Sequence, residues 1–272
     1  MRTPTFKYHG SKCRVAKWIL YNINFKIDNY YEPFAGRGNV FFRLANDFKY
    51  YQPNDTLSYK WTTQQNKKVF LNDPHTYKFL IALQQYDGDY DFVPNWIDKD
   101  IYNHFMKMKH CHEKYLAESF CAYNGAFFGG GANLTDSPTH PSLNKHNKKN
   151  TIQRFKNAKI LLKDVNISNL DYKEFFKLIQ QTLTPNSLIY LDPPYLQSSK
   201  SKLAFCQINH NTLLELCIDL QNKCKIILSG YDSVLYNSNL KNWNTSNYTR
   251  ASCGKNSNKT SNFVTEKIWF NF

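Results

Sequence analysis

The sequence predicts an α/β fold: a mostly parallel sheet with helices on both faces and a mainly helical segment inserted into it. Three observations carry this expectation. Short apolar, β-rich runs alternate with stretches of helical spacing along most of the chain. One of those runs, Ser187–Leu191, is shut off by Asp192-Pro193-Pro194-Tyr195, as a buried strand opening into a rigid loop would be. Between about Pro94 and Asn150 the pattern gives way to helical stretches, a glycine-aromatic tract and a basic polar run. The expected division is a main domain of residues 1–93 and 151–272, with an insert of residues 94–150.

Taken in order, Ser11–Asn22 has the spacing of a first helix. Glu32–Gly38 reads as a strand-to-helix turn, and Val40–Phe48 as the helix it opens. Residues 49–68, rich in Tyr, Gln, Asn and Thr, read as a small insertion. Val69–Asp73 is a predicted strand, and Pro74 suits the first turn of a helix that Asp73 caps. Within the insert, Lys99–Lys109 and Glu113–Tyr123 are helical. The tract Asn124–Asn133 then sets aromatics among glycines, and a polar run ending in Asn144–Asn150 follows. Aromatics beside a basic stretch fit a surface that contacts nucleic acid. Lys159–Leu162, Ser187–Leu191 and Lys225–Ser229 are predicted strands, alternating with helices at Asp171–Thr182 and His210–Asn222. Asn256–Asn262 reads as a mobile loop. Phe263–Phe270 reads as a final strand, antiparallel at one side of the sheet.

A chain of 272 residues can bury a full core and still carry a sizeable insertion. Its 35 Lys and Arg against 21 Asp and Glu give a net charge of +14, which favours a polyanionic partner, nucleic acid before a membrane surface. No stretch approaches the roughly 18 apolar residues of a membrane span, and the first residues lack the apolar core of a signal peptide. The seven cysteines, at 13, 111, 121, 206, 217, 224 and 253, form no Cys-x-x-Cys pair. An odd, scattered set implies a reducing compartment, so a cytoplasmic location with no membrane partner is expected. His110-Cys111-His112 invites a metal reading. Neighbours on a helix point to different faces, however, and no second ligand cluster follows, so no metal is expected.

Two segments carry chemistry. In Asp192-Pro193-Pro194-Tyr195, two prolines remove two backbone donors and fix two φ angles. A carboxylate and two carbonyls therefore point rigidly outward beside an aromatic ring. That frame suits a planar base bearing an amino group: the acceptors hold the amine while the ring stacks on the base. In Glu32-Pro33-Phe34-Ala35-Gly36-Arg37-Gly38-Asn39, an acid precedes two glycines that let the backbone approach a ligand closely. The third glycine of the dinucleotide fingerprint is missing, and no Gly-Lys-Ser/Thr follows, which excludes a P-loop. An acid ahead of the glycines suits a ligand with an ammonium group, such as the methionine part of S-adenosylmethionine (AdoMet), better than a pyrophosphate. Asp73, ending the next strand, is placed to accept from ribose hydroxyls. Asp164, after Lys159–Lys163, is a further candidate for the adenine edge of that cofactor. Lys7-Tyr8-His9-Gly10-Ser11-Lys12 adds a glycine turn with a lysine and an aromatic.

Together and in this order, these segments resemble the Dam-like DNA adenine-N6 methyltransferases, in which the AdoMet region comes first, the target-recognition insert second and the catalytic motif third. Residues 7–12 match the family's Lys-Trp/Tyr-x-Gly-(Gly/Ser)-Lys, residues 32–38 its Glu-Pro-Phe-x-Gly-x-Gly loop, and Asp192–Tyr195 its catalytic tetrapeptide. Leu228–Asp232 and Thr265–Phe270 resemble its later motifs. The resemblance covers nearly the whole chain outside residues 46–66 and 134–155. It implies a Rossmann-like, AdoMet-dependent methyltransferase sheet with residues 94–150 as the target-recognition insert.

Carried over residue by residue, Tyr8, Lys12, Asp73 and Asp192 would contact AdoMet, and Glu32, Phe34, Ala35, Gly36, Gly38 and Asn39 would surround its methionine end. Asp192 and the Pro193 carbonyl would accept from the adenine amine, with Pro194 stiffening the turn and Tyr195 stacking on the base. Lys200 and Lys202, just after the tetrapeptide, would hold flanking phosphates, and Phe205 would add a second stacking surface. The implied partner is double-stranded DNA, with the enzyme acting as a monomer, alone or beside a restriction endonuclease. Gly131–Pro138 lacks the arginine-bearing stretch of GATC-specific members, so GATC is not the expected site. Three other readings stand beside this one: methylation of RNA adenine, methylation of cytosine N4, and a DNA-binding module without catalysis. Asp rather than Ser at position 192 leans against cytosine. The intact Asp192, Asp73 and glycine loop lean against the loss of catalysis.

Overall fold

The computed structural model describes residues 3–6, 11–50, 67–95, 97–123, 141–196, 208–255 and 261–272; for 47–50, 141–147, 251–255 and 261–262 the backbone alone is described. In chain order the elements are α1 (Ala16–Tyr21), β1 (Tyr30–Glu32), α2 (Asn39–Tyr50), β2 (Val69–Asn72), α3 (Tyr77–Gln85), α4 (Lys99–Lys107), α5 (His112–Tyr123) and α6 (Pro141–Leu162). There follow β3 (Asn166–Ser168), α7 (Tyr172–Ile179, extended by a 3-10 turn Gln180–Thr182), β4 (Leu188–Leu191), α8 (His210–Leu220), β5 (Lys225–Gly230), α9 (Val234–Asn239), β6 (Asn244–Lys255) and β7 (Ser261–Phe270).

The strands form a seven-stranded sheet in the order β3-β2-β1-β4-β5-β7-β6. β1 lies parallel to β2 and to β4, with Tyr30 beside Val69 and Leu188, and β4 lies parallel to β5, with Leu191 beside Leu228. β7 runs antiparallel to both β5 and β6. The α/β fold class and the antiparallel final strand are as the sequence predicts. In open sheets of this kind, ligands bind beyond the carboxyl ends of the strands where the strand order reverses. Here that place is the β1/β4 boundary, where Glu32 and Asp192 leave the sheet.

The chain divides into two compact units: residues 1–16, 35–58 and 72–169, and residues 17–34, 59–71 and 170–272. In the second unit, Ile189, Leu191, Ile226 and Leu228 from β4 and β5 pack with Phe175, Phe176 and Ile179 of α7 and Leu213, Leu214 and Cys217 of α8. All four residues of β4 are buried, as expected of a strand covered on both faces. Trp269 of β7 is fully buried in the same core. The helices there are capped by side chains the sequence makes visible: Asp171 accepts from Lys173 N at α7, and Asn209 from Thr212 N at α8.

The first unit is built around Phe6. Its ring meets Phe42 of α2 at 5.5 Å and Phe79 of α3 at 5.1 Å, both edge-on, and stacks with Phe155 of α6 at 6.0 Å. Gln84 of α3 donates to the Leu162 and Val165 carbonyls, closing the end of α6.

One predicted strand is overturned. Lys159–Leu162 forms the last turn of α6, not a strand. The physical reason is periodicity: Thr151, Phe155, Ala158 and Leu162 recur at helical spacing and are all buried. The same helix takes in the backbone of the polar run Asn144–Asn150. The strand after it is β3, three residues further along the chain. β6 goes unpredicted. The insertion at 49–68, the tract at 124–133 and the loop at 256–262 fall mainly outside the described residues. Among the described residues, no helix is long and apolar enough to cross a membrane.

Candidate functional site

At the carboxyl ends of β1 and β4 in the second unit stand three carboxylates: Glu32, Asp192 and, from β7, Glu266. All three raise the pKa of Tyr190, whose hydroxyl is fully buried; burial is the largest cause, Asp192 the next, and Glu32 and Glu266 smaller. A phenol so placed keeps its proton and acts as donor. Its partner is Ser229 Oγ at 3.1 Å, and Ser229 lies 2.9 Å from Asp192 Oδ1 and 3.1 Å from the Leu191 carbonyl. Tyr190 on β4 and Ser229 on β5 thus orient the Asp192 carboxylate from beneath. Ser229 lies within the segment Leu228–Asp232 that the sequence singles out, but its role as a support for Asp192 is visible only in the fold.

Asp192 is partly exposed, Pro193 buried and Pro194 exposed. Behind the loop, His210 at the start of α8 stands near the Pro194 backbone. Its Nδ1 lies 2.7 Å from the Tyr236 hydroxyl. Burial lowers the His210 pKa and favours the neutral ring, which can donate on one side and accept on the other. Tyr195 is held at two points: its hydroxyl donates to Glu266 Oε2 at 3.0 Å, and its ring meets the Tyr231 ring at 4.5 Å in a T-shaped contact. A small cavity beside it is lined by Tyr195, Leu196, Gly230, Tyr231, Ser233 and Tyr236.

Glu32 is 2% exposed and accepts from the Tyr30 hydroxyl at 3.0 Å. The two share a face of β1, as the period of a strand requires. Burial, then the neighbouring Glu32, hold the Tyr30 pKa well above its usual value, so this hydroxyl too remains a donor. Phe34, two residues on, tilts against Tyr172 of α7 at 5.8 Å.

The glycine loop belongs to the first unit. Gly36 and Gly38 have φ of 51° and 69°, a region that side chains disfavour. A Cβ on Gly38 would also come within 3.2 Å of Phe42. Ala35 N donates to the Asn72 carbonyl at 2.9 Å, and Gly38 N to the Ala35 carbonyl at 2.8 Å. Asp73 fastens the turn: Oδ2 accepts from Gly36 N at 3.0 Å, while Oδ1 accepts from His75 N at 2.9 Å and Thr76 N at 2.8 Å. Thr76 Oγ1 donates to the Gly36 carbonyl. The sequence places Asp73 as the cap of a helix opening at Pro74; α3 instead starts at Tyr77 with Thr76 at its N-cap and no side-chain cap bond, and Asp73 closes the turn 74–76 that precedes it. Asn39, 5% exposed, spends its amide locally: Oδ1 accepts from Phe6 N, and Nδ2 donates to the Phe6 carbonyl and Ser11 Oγ. It anchors the segment that flanks Lys7–Lys12. Lys12 is 6% exposed, and its carbonyl accepts from Val15 N and Ala16 N.

Not every candidate comes to these clusters. Asp164 is exposed in the turn before β3, whereas Asp73 N bonds the Ser168 carbonyl at the far end of that strand. The misread strand at 159–162 is what made Asp164 look like a strand-end acid. Tyr8, Lys200, Lys202 and Phe205 lie outside the described residues. Two residues were missed altogether as parts of a site: Ser229, which supports Asp192, and Glu266, which holds Tyr195. Both lie in segments that resemble the family's later motifs, but no local signal gives their roles, because each works through a partner 37 or 71 positions away.

A family model described as D12 class N6 adenine-specific DNA methyltransferase matches residues 8–259. No curated protein matches the chain.

Proposed function

The chain belongs to the D12 class N6 adenine-specific DNA methyltransferase family, and from that premise we propose how its residues divide the work. It is an adenine-specific DNA methyltransferase, and DNA is its substrate. In our reading the methyl donor is AdoMet. The cluster at the β1/β4 ends supports this choice: Glu32 and Asp192 make a negative field suited to a ligand bearing ammonium and sulfonium charges. The glycine loop supports it too, since two positive-φ glycines leave backbone where a side chain would otherwise stand. Glu32, Phe34, Ala35, Gly36, Gly38 and Asn39 would shape the methionine end, with Asp73 on the ribose and Tyr8 and Lys12 beside them. Bound there, AdoMet supplies an electrophilic methyl group.

The observation that carries the catalytic reading is the fixed carboxylate of Asp192, oriented by Ser229 at the head of a proline-stiffened turn. An exocyclic amine conjugated with adenine is a poor nucleophile. Asp192 and the Pro193 carbonyl, accepting its two hydrogens, would draw them out of the ring plane and build lone-pair character on nitrogen. This is stabilisation by dipoles set before the reaction, combined with alignment. The target must leave the duplex to reach them, at a cost of a few kcal/mol. Stacking on Tyr195 would return about 1–3 kcal/mol. Phe205 would add to that, and Lys200 and Lys202 would hold neighbouring phosphates. Residues 94–150 would read the target in double-stranded DNA, at a site other than GATC. The enzyme would act as a monomer, alone or beside a restriction endonuclease.

The test is transfer of labelled methyl from AdoMet to unmethylated genomic DNA, with the product nucleosides identified by mass. Label in N6-methyladenine is expected, and label in methylcytosine, or none on DNA, would overturn the reading. With a net charge of +14, affinity for non-specific duplex is expected to fall steeply with salt. A log–log slope of about −3 or steeper corresponds to three or more phosphates neutralised. A flat response in a filter-binding titration would remove phosphate contacts from the account.

A further inference from the structure

We infer that Glu266, clamped by Arg250, is the positioning residue that sets the Tyr195 ring for the target base; the inference rests on the reading above, in which Tyr195 stacks on adenine. Glu266 is 4% exposed. One carboxylate oxygen accepts from the Tyr195 hydroxyl at 3.0 Å. The other accepts from Arg250 Nη2 at 2.8 Å and Nε at 3.2 Å. Both oxygens are thus committed, one to the arginine and one to the tyrosine.

The sheet places all three groups. β6 and β7 pair with Tyr248 opposite Glu266 and Arg250 opposite Val264. Arg250 and Glu266 are therefore diagonal neighbours on one face, within reach of a long side chain. On its other side β7 pairs with β5 up to Gly230 opposite Lys267. Glu266 thus comes level with Tyr231, the residue whose ring meets Tyr195 edge-on. Tyr195 follows two prolines on a loop, and nothing in its own sequence sets its side-chain torsions. A bond at the hydroxyl and a T-shaped contact of the ring restrain both its tilt and its reach. Burial, then the charges of Asp192 and Glu266, raise the Tyr195 pKa, so the hydroxyl stays a donor to Glu266 at neutral pH. Arg250 keeps Glu266 from turning away, and as a bidentate partner it fixes direction as well as charge.

The test compares single and double variants in steady-state methylation of unmethylated genomic DNA, read as kcat and KM separately. Glu266→Ala is expected to lower kcat about tenfold, the loss of one charge-assisted hydrogen bond that orients a reacting group, with KM for DNA little changed. Tyr195→Phe, which keeps the ring and removes the hydroxyl, should lose about as much, and adding Glu266→Ala to it should cost little more. Glu266→Gln can keep its amide oxygen on Arg250 and donate its N–H₂ to the Tyr195 hydroxyl, so the ring stays held and most of the wild-type kcat should remain, which a role that depends on the charge of Glu266 would not predict. Multiplicative losses in the double variant, or wild-type kcat in Glu266→Ala, would overturn the proposal. Tyr195→Ala separates the two levels. Wild-type turnover there would remove the stacking reading itself. Impaired turnover with multiplicative losses in the double variant would remove the role of Glu266 alone.

Discussion

Asp192→Ala is expected to lower methyl transfer by about a thousandfold, the upper range for removing one preorganised acceptor from a reacting centre. The fold should survive the change. Asp192 is only partly buried, and Ser229 Oγ, its donor, retains the Leu191 carbonyl at 3.1 Å as an alternative acceptor. The buried hydroxyls of Ser229 and Tyr190 keep each other and the Leu191 carbonyl as partners, so a thermal melt should stay near that of the wild type. Affinity for duplex DNA should also change little, because one acceptor at the head of a loop contributes little beside the phosphate contacts of a strongly basic chain. Asp192→Asn sharpens the test. Its Oδ1 can still accept from Ser229 at the place now measured at 2.9 Å. What turns outward is then an amide N–H₂, a donor set against the donor amine of adenine. The loss should therefore persist in a variant that is nearly isosteric. Near-normal turnover in Asp192→Asn, measured as label incorporated into N6-methyladenine, would sink the mechanism.

Much of this site is legible in the sequence because its strongest parts are local. Pro193 and Pro194 restrict their own backbone wherever they stand, and Gly36 and Gly38 permit positive φ whatever surrounds them. Strand ends mark themselves through apolar runs, so Glu32, Asp73 and Asp192 are recognisable as acids at the ends of β1, β2 and β4. The supports of the site are different in kind. Ser229 reaches Asp192, and Glu266 reaches Tyr195, only because β5 lies beside β4 and β7 beside β5. No spacing along the chain encodes those neighbours. β6 escaped notice for a related reason: Asn244–Lys255 carries Asn, Ser, Thr and Gly and draws its strand character from pairing with β7. The misreading at Lys159–Leu162 is an error of window. Four apolar-rich residues look like a strand, and the twelve-residue stripe from Thr151 to Leu162 makes them a helix end.

Asp73 serves structure and, in the proposed function, the cofactor as well, which makes its substitution the most informative after Asp192. Its carboxylate accepts three backbone N–H groups with two oxygens: Gly36 on Oδ2, and His75 and Thr76 on Oδ1. Asp73→Asn can satisfy one side only. If its Oδ1 keeps the bonds from His75 and Thr76, Nδ2 confronts the Gly36 N–H, donor against donor, and the charge-assisted bond that fastens the glycine turn is lost. That should destabilise the protein by about 1–3 kcal/mol, the range for leaving such a group unpaired. The same change puts an N–H₂ in place of Oδ2, the oxygen that carries a single backbone donor and is left to accept from the ribose, and loosens Gly36 and Gly38. AdoMet affinity is therefore expected to fall by about tenfold or more, a coupling of at least ~1.4 kcal/mol. Calorimetric titration with AdoMet reads the affinity, and the rise in melting temperature on adding saturating AdoMet provides an independent check. A variant that melts earlier yet binds AdoMet as the wild type does would confine Asp73 to holding its turn. A variant that melts normally but no longer responds to AdoMet would assign it mainly to the ligand. The expected result is a loss of both, because the bond that holds the loop and the acceptor offered to the ribose come from one carboxylate oxygen.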